Sequence, residues 1–265
     1  MQKTFYVVGN LKMNMLSCDE AGQYLSVLKR EMRGREFSFT QGVICPSFLY
    51  LSLFDHLPSG LTKGAQNLFP EKSGAYTGEI SPVMLKNDGV THVILGHSER
   101  RLYAGETDED VREKVLAALK YHLVPVVCIG ETKEERAREE TEEVLLRQVK
   151  AVFDGLSKLQ AESIMIAYEP RWAIGTDVLP TTSEILQVRV FLRKFLTETF
   201  DASVAERVVI LYGGSVKSSF LPAISWEAQV DGVLVGRESL FPYELVKMME
   251  MFENEAKKEK TKKRI

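Results

Sequence analysis

The chain has 265 residues, a length that suits one large α/β domain or two small ones. At 45% hydrophobic and 27% charged it has the balance of a soluble globular protein, and 34 basic against 37 acidic residues leave a net charge of −3. Nothing in that charge invites nucleic acid or an anionic membrane, and no apolar run approaches the roughly eighteen residues of a membrane span.

From its start the chain runs straight into an apolar segment at residues 5–9, with nothing of a signal peptide before it. A helix is predicted over 17–33, capped by Ser17. A second strand over 38–45 is closed by Pro46, and a short helix follows through Phe48, Leu49, Leu51 and Phe54. A weaker third strand spans 61–66, and residues 67–79 form a polar excursion containing Pro70, Gly74 and Gly78. Ser81-Pro82 opens a helix with proline in its first turn. Strand four covers 92–96 with its helix at 108–121, and strand five covers 124–129 with a long charged helix over 133–153. Strand six covers 164–168 and its helix 183–199. Strand seven, 208–212, is followed by a short helix at 217–223, and strand eight, 229–235, by a helix over 242–251. The three cysteines, Cys18, Cys45 and Cys128, lack Cys-x-x-Cys spacing, which argues for a reduced cytoplasm and against a disulfide framework or zinc site.

Strands alternating with helices imply a parallel sheet, because parallel neighbours need a crossover. Eight such units can close into a ring with no open edge. A doubly wound open sheet is the alternative, but no Gly-x-Gly-x-x-Gly follows the first strand and there is no P-loop. The fold read from the sequence is therefore α/β, a closed eight-stranded parallel (β/α)8 TIM barrel. It is read as one domain over residues 1–252, with 253–265 a lysine-rich tail expected to be solvated and frayed. In that architecture chemistry sits at the C-terminal ends of the strands.

Strand six ends on Glu169, followed by Pro170, then Trp172, Ala173 and Ile174, and then Gly175. A carboxylate at a strand end before an apolar, proline-started, glycine-ended loop reads as a base under a water-excluding lid. Taken alone, the segment reads equally well as a strand end leading into an ordinary buried loop. Strand one ends on Asn10 and Lys12, an amide beside an ammonium. Strand four ends on His97, two residues from Glu99 and next to the pair Arg100-Arg101, whereas His56, His92 and His122 have no such setting and are read as structural. Cys128 on strand five reads as packing, since no base is committed to it. Strands seven and eight end in Gly213-Gly214-Ser215 and Gly236-Arg237, which leave backbone N–H groups free to surround an anion. Base, imidazole, ammonium, amide and phosphate cradle together suit removal of a carbon-bound proton beside a carbonyl on a phosphorylated sugar.

The motifs Asn10-x-Lys12-Met13-Asn14, Gly96-His97-Ser98-Glu99-Arg100-Arg101, Ala167-Tyr168-Glu169-Pro170, Trp172-Ala173-Ile174-Gly175-Thr176 and Tyr212-Gly213-Gly214-Ser215 resemble the triosephosphate isomerase family, in family order over nearly the whole chain. The resemblance implies interconversion of dihydroxyacetone phosphate and D-glyceraldehyde 3-phosphate through an enediolate, with triose phosphates as substrates and no metal or cofactor. It makes Glu169 the base and His97 a neutral electrophile, while Lys12 and Asn10 hold substrate and stabilise charge. Residues 170–176 become the lid, and the N–H groups of Gly175, Ser215, Gly236 and Arg237 hold the phosphate. Glu99 takes a supporting role through a hydrogen bond near Lys12 or the interface loop. The excursion at 67–79, including Thr77, becomes a loop inserted into a partner subunit of a homodimer, and exposed Leu68, Phe69 and Tyr76 would otherwise be unexplained.

Three features depart from the family pattern. Arg237 stands where a second glycine is usual, with its guanidinium expected to point to solvent. Arg171 and Asp177 stand at the two ends of the lid in place of small residues. The tail is extra. Two other readings are another phosphosugar-handling barrel, which would keep the cradle without the Glu169 and His97 pair, and a non-catalytic phosphate-binding barrel.

Overall fold

A computed structural model describes residues 4–173 and 179–262, apart from the side chains of residues 225 and 262. The strands are β1 Phe5–Asn10, β2 Thr40–Cys45, β3 Leu61–Ala65, β4 His92–Leu95, β5 Val124–Ile129, β6 Met165–Tyr168, β7 Val209–Gly214 and β8 Gly232–Val235. Each pairs in parallel with its neighbours in sequence, and β8 pairs with β1 through Tyr6↔Gly232 to Gly9↔Val235, so the sheet is a closed barrel. The helices are α1 Cys18–Met32, α2 Pro82–Asn87, α3 Ser98–Tyr103, α4 Asp108–Lys120, α5 Lys133–Ala137, α6 Thr141–Phe153, α7 Lys158–Glu162, α8 Thr182–Thr199, α9 Ala202–Arg207 and α10 Pro242–Lys262. No helix among the described residues is long and apolar enough to cross a membrane.

The two-residue period of a strand accounts for the two cores. Val8, Val43, Cys45, Ile94, Val126, Cys128, Met165, Ala167, Leu211 and Leu234 point inward and fill the barrel. Their neighbours Val7, Ile44, Val93, Leu95, Val127, Ile166, Ile210 and Val233 point outward and pack under the helices. Both faces of most strands are therefore apolar, which is why they read as short continuous runs rather than as alternations; β3, with Thr62, Lys63 and Gly64, is the exception and the weakest of the runs.

Several elements differ from the sequence reading, each for a local reason. The charged stretch 133–153 is two helices. Thr132 and Glu135 form a capping box for α5, and the chain then breaks at Glu139, which takes a left-handed φ of 60°. Charge periodicity does not register a single reversed residue. Strand eight starts at Gly232 rather than 229 because Gln229 is also left-handed, at φ 57°. The segment at 217–223 is a 3-10 turn, Ser218–Phe220, running into a π-helical turn, Pro222–Glu227. The short helices α3, α7 and α9 carry too few turns to show a period.

The C-terminal segment is the largest difference. α10 does not end at Met251 but continues through Lys262. Glu253, only 3% exposed, accepts hydrogen bonds from the backbone N–H groups of Ser38 (3.0 Å) and Phe39 (2.8 Å). Lys257 reaches back to Glu253 at 3.2 Å, Ala256 is buried, and Lys260 lies 5.1 Å over the Phe39 ring. Residues 253–262 are thus a docked helix, and not the frayed tail that a lysine-rich composition suggests. Glu253 also explains why β2 begins at Thr40, since the two preceding N–H groups are spent on its carboxylate. Glu253→Ala is expected to lower stability by about 2 kcal/mol, because the buried Phe39 N–H loses its partner. A urea midpoint unchanged by that substitution would show the docking to be inconsequential.

Candidate active site

Closing the barrel brings the ends of β1, β4, β6, β7 and β8 onto one rim. Asn10, the last residue of β1, is buried, and its Oδ1 accepts from the Lys12 N–H at 3.1 Å. Lys12 itself takes a left-handed φ of 51°, a conformation that costs a non-glycine residue about 1–2 kcal/mol. Its carbonyl is held there by Ser47 Oγ (3.2 Å) and Gln66 Nε2 (2.9 Å). The ammonium ends 2.6 Å from Glu99 Oε1. Glu99 therefore stands against Lys12, and it belongs to the helix that His97 caps.

His97 follows β4 and caps α3, with Nδ1 accepting the Glu99 N–H at 3.2 Å. A backbone N–H can only donate, so Nδ1 is unprotonated and the ring proton resides on Nε2. The Glu99 carboxylate approaches Nδ1 no closer than 3.6 Å, too far for a hydrogen bond, and finds no proton there. The Nε2–H faces Glu169 Oε1 at 3.2 Å. An imidazole with its acceptor side capped by the helix keeps its one ring proton on the side nearer the carboxylate.

Glu169, 3% exposed, follows β6, and its own N–H is fixed by Ile129 O at 2.7 Å. Its second carboxyl oxygen accepts from the Ser98 N–H at 3.2 Å. Neighbouring strands leave room for it only by carrying glycine. A methyl on Gly130 would fall 1.8 Å from the Glu169 carbonyl oxygen, and one on Gly213 would fall 2.7 Å from Glu169 Cγ. Cys128 lies beside it, and burial, then the Glu169 charge, hold that thiol well above its ordinary range, so it stays protonated.

A cavity of about 700 Å³ opens above this group and is lined by Lys12, Ser98, Glu99, Trp172, Ser215, Gly236 and Arg237, among others. Gly236 abuts Lys12, since a methyl built on it would lie 3.3 Å from Lys12 Cε. Ser239 ties the loop after β8 to β1, its hydroxyl bonding Gly236 O (2.6 Å) and Asn10 O (3.2 Å). Ser215 Oγ contacts Ala173 O at 3.3 Å, at the start of the segment read as the lid. Gly175 and Asp177 lie outside the described residues. Thr77 sits on an exposed loop and is not among the residues lining the cavity. Of the bulky residues on that excursion, Leu68 is wholly buried in the chain's own core and only Tyr76 is exposed, its ring tilted at 42° against that of Phe69 with centroids 4.5 Å apart. The expectation that all three need a foreign partner is corrected for Leu68. His92 packs inside, its imidazole pushed down to about 4 by burial.

Sequence reasoning passed over three participants. Ser98 holds Glu169 through its backbone, which no side-chain pattern reveals. Gly213 reads in the sequence only as part of an anion cradle, yet it also clears space for the Glu169 carboxylate. Glu131, fully buried, accepts from Trp172 Nε1 (2.8 Å) and Tyr168 Oη (3.2 Å), while the Arg136 guanidinium stacks 4.0 Å over Trp172. Burial pushes the Glu131 carboxyl up, against the pull of these donors. The network pins the N-terminal end of the lid segment. A carboxylate following a strand-end glycine was its signal.

The triosephosphate isomerase family model matches residues 5–252. A triosephosphate isomerase of Dictyoglomus thermophilum is 42% identical over 238 residues, spanning 89% of this chain and 94% of that protein. That of Alkaliphilus oremlandii is 43% identical over 236 residues, spanning 88% and 94%. That of Clostridium botulinum strain Okra is 42% identical over 240 residues, spanning 90% and 95%. The packing of Glu169 against β7 is open to a direct test. Gly213→Ala is expected to displace the carboxylate and lower turnover about a hundredfold with the barrel still folded. Full turnover in that variant would mean that β7 does not position the carboxylate.

Proposed function

The chain belongs to the triosephosphate isomerase family and interconverts dihydroxyacetone phosphate and D-glyceraldehyde 3-phosphate, and we propose that Glu169, His97, Lys12 and Asn10 carry that reaction. The observation that supports the reading most is the 3.2 Å approach of His97 Nε2 to Glu169 Oε1. It puts a carboxylate and a neutral N–H donor on one small volume beside the Lys12 ammonium.

In the proposed mechanism Glu169 takes the proton from the carbon next to the carbonyl. The electron pair left behind moves onto oxygen, forming an enediolate. The proton then returns to the neighbouring carbon while the hydroxyl proton passes from the first oxygen to the second, and the two transfers together exchange ketose for aldose. His97 Nε2–H donates to the carbonyl oxygen as it gains charge. It is neutral there, because the Nδ1 lone pair is already engaged by a backbone N–H and is not free to take a second proton. Lys12 adds positive charge at the same oxygen, and Glu99 holds its ammonium at 2.6 Å without burying it. Preorganised donors of this kind are typically worth about 10²–10³ each in rate. Asn10 fixes the backbone at Lys12 in its left-handed turn. The N–H groups of Ser215, Gly236 and Arg237, with Gly175 from the lid, hold the phosphate. Arg237 needs no positive φ for this, since it opens a 3-10 turn, Arg237–Leu240.

We further propose a homodimer. β1 to β4 are successive neighbours in the ring, and the segments that follow them expose Leu49 (86%), Tyr76 (44%) and Tyr103 (82%), as well as Met13 and Leu16. A run of exposed apolar side chains on one side of the rim is what a partner covers. Thr77 lies at the tip of that region and would reach the partner.

Two measurements check these readings. Glu169→Asp shortens the base by one methylene and is expected to cut kcat by about a hundredfold or more while the unfolding midpoint stays within a few degrees. Equal turnover would remove Glu169 from the base role. Light scattering is expected to give twice the 30.0 kDa chain mass at micromolar concentration, and a monomer mass would exclude the dimer.

A further inference from the structure

Arg237 is a charged side chain lining the cavity that no other described residue engages. It is exposed, it lines the cavity, and among the described residues it makes no ion pair and no side-chain hydrogen bond. The adjacent Glu238 is not positioned to neutralise it, because successive residues of a 3-10 turn project about 120° apart. Five cations line the cavity, Lys12, Lys133, Arg171, Lys217 and Arg237, against the carboxylates of Glu99, Glu134 and Glu238. Among the described residues, Lys12 is the one of these cations held in an ion pair, by Glu99 at 2.6 Å. The rim therefore presents uncommitted positive charge, and Arg237 is the member joined directly to Gly236, the residue that touches Lys12.

We propose that the Arg237 side chain is a specificity-determining group for the phosphoryl end of the substrate, acting in addition to its backbone N–H. This rests on the phosphate placement given above. A guanidinium presents a planar fork of donors that matches two oxygens of a phosphate dianion. Placed on the solvent side of a cradle built from backbone N–H groups, it closes over the face of the phosphate that those groups leave open. Lys217, exposed on the same rim after β7, contributes field but no fork. Among the described residues the side chain has no partner to give up, so its recruitment breaks none of the contacts seen there. The recognised chemistry is a tetrahedral dianion, and the carbon skeleton is left to His97 and Glu169.

The test compares wild type, Arg237→Ala and Arg237→Lys with inorganic phosphate as a competitive inhibitor, and with glyceraldehyde 3-phosphate against unphosphorylated glyceraldehyde as substrates. In Arg237→Ala the inhibition constant for phosphate is expected to rise about tenfold. The preference in kcat/KM for the phosphorylated over the unphosphorylated substrate is expected to fall by a similar factor. Arg237→Lys should recover part of each loss, and the dependence of kcat/KM on ionic strength should be shallower in Arg237→Ala than in wild type. A merely structural side chain would leave the preference and the salt dependence unmoved. Equal phosphate inhibition in wild type and Arg237→Ala would overturn the proposal while leaving the cradle intact. Failure of phosphate to compete in wild type would overturn the cradle and the proposal together.

Discussion

The 3.2 Å approach of the His97 imidazole to the Glu169 carboxylate is the constraint on which the rest of the site depends. It works only if the imidazole is neutral with its proton on Nε2, and one backbone N–H secures that by occupying Nδ1. The same short helix that supplies this N–H also supplies the Ser98 N–H to the other side of the carboxylate and the Glu99 side chain to Lys12. A single turn of helix after β4 thus sets the protonation of one group, the orientation of a second and the position of a third. Charge balance follows from the arrangement. The Glu169 carboxylate and the Lys12 ammonium are each held by a partner, and neither is neutralised by the other.

Such convergence is possible because the ring is closed. The residues concerned come from positions 10 to 239, and only the pairing of β8 with β1 brings the first and last of them together, where Ser239 bonds Asn10. Room for the carboxylate is made by absence of side chains on both flanks, at Gly130 on the β5 side and Gly213 on the β7 side. The barrel interior below is filled by apolar side chains such as Val126, Cys128, Ala167 and Leu211, so the floor of the site is dry and rigid. The left-handed turn at Lys12 is the strained point, and three hydrogen bonds from β1, β2 and β3 neighbours hold it. Strain of this kind persists where the surroundings over-determine it.

Most of this was legible in the sequence wherever the signal is local. Apolar runs ending in Asn10, His97 and Glu169 announce both the strands and the polar groups at their ends, and parallel pairing then forces those ends onto one side. The missing parts are those whose physics is non-local or carried by backbone. Ser98 acts through its N–H, and the freedom of Gly213 matters only because Glu169 lies across from it. The reversed φ at Glu139 splits one helix into two without altering its composition. Lysine-rich residues 253–262 look like a solvated tail until Glu253 is seen to cap the start of β2, a partner more than two hundred positions away. Leu68 looks stranded on a loop, yet it turns inward to the core.

The account's central claim is that a single carboxylate carries the proton between two carbons while the oxygens are held by His97 and Lys12. Isomerisation of dihydroxyacetone phosphate in D2O, with the aldose product trapped and read by NMR, tests this most directly. A proton lodged on Glu169 can exchange with solvent before it is returned, so deuterium is expected at C2 of the glyceraldehyde 3-phosphate formed in the first turnover. Product formed at full rate with only protium at C2, in Glu169→Gln as in the wild type, would require direct hydrogen transfer between the carbons and would contradict the account.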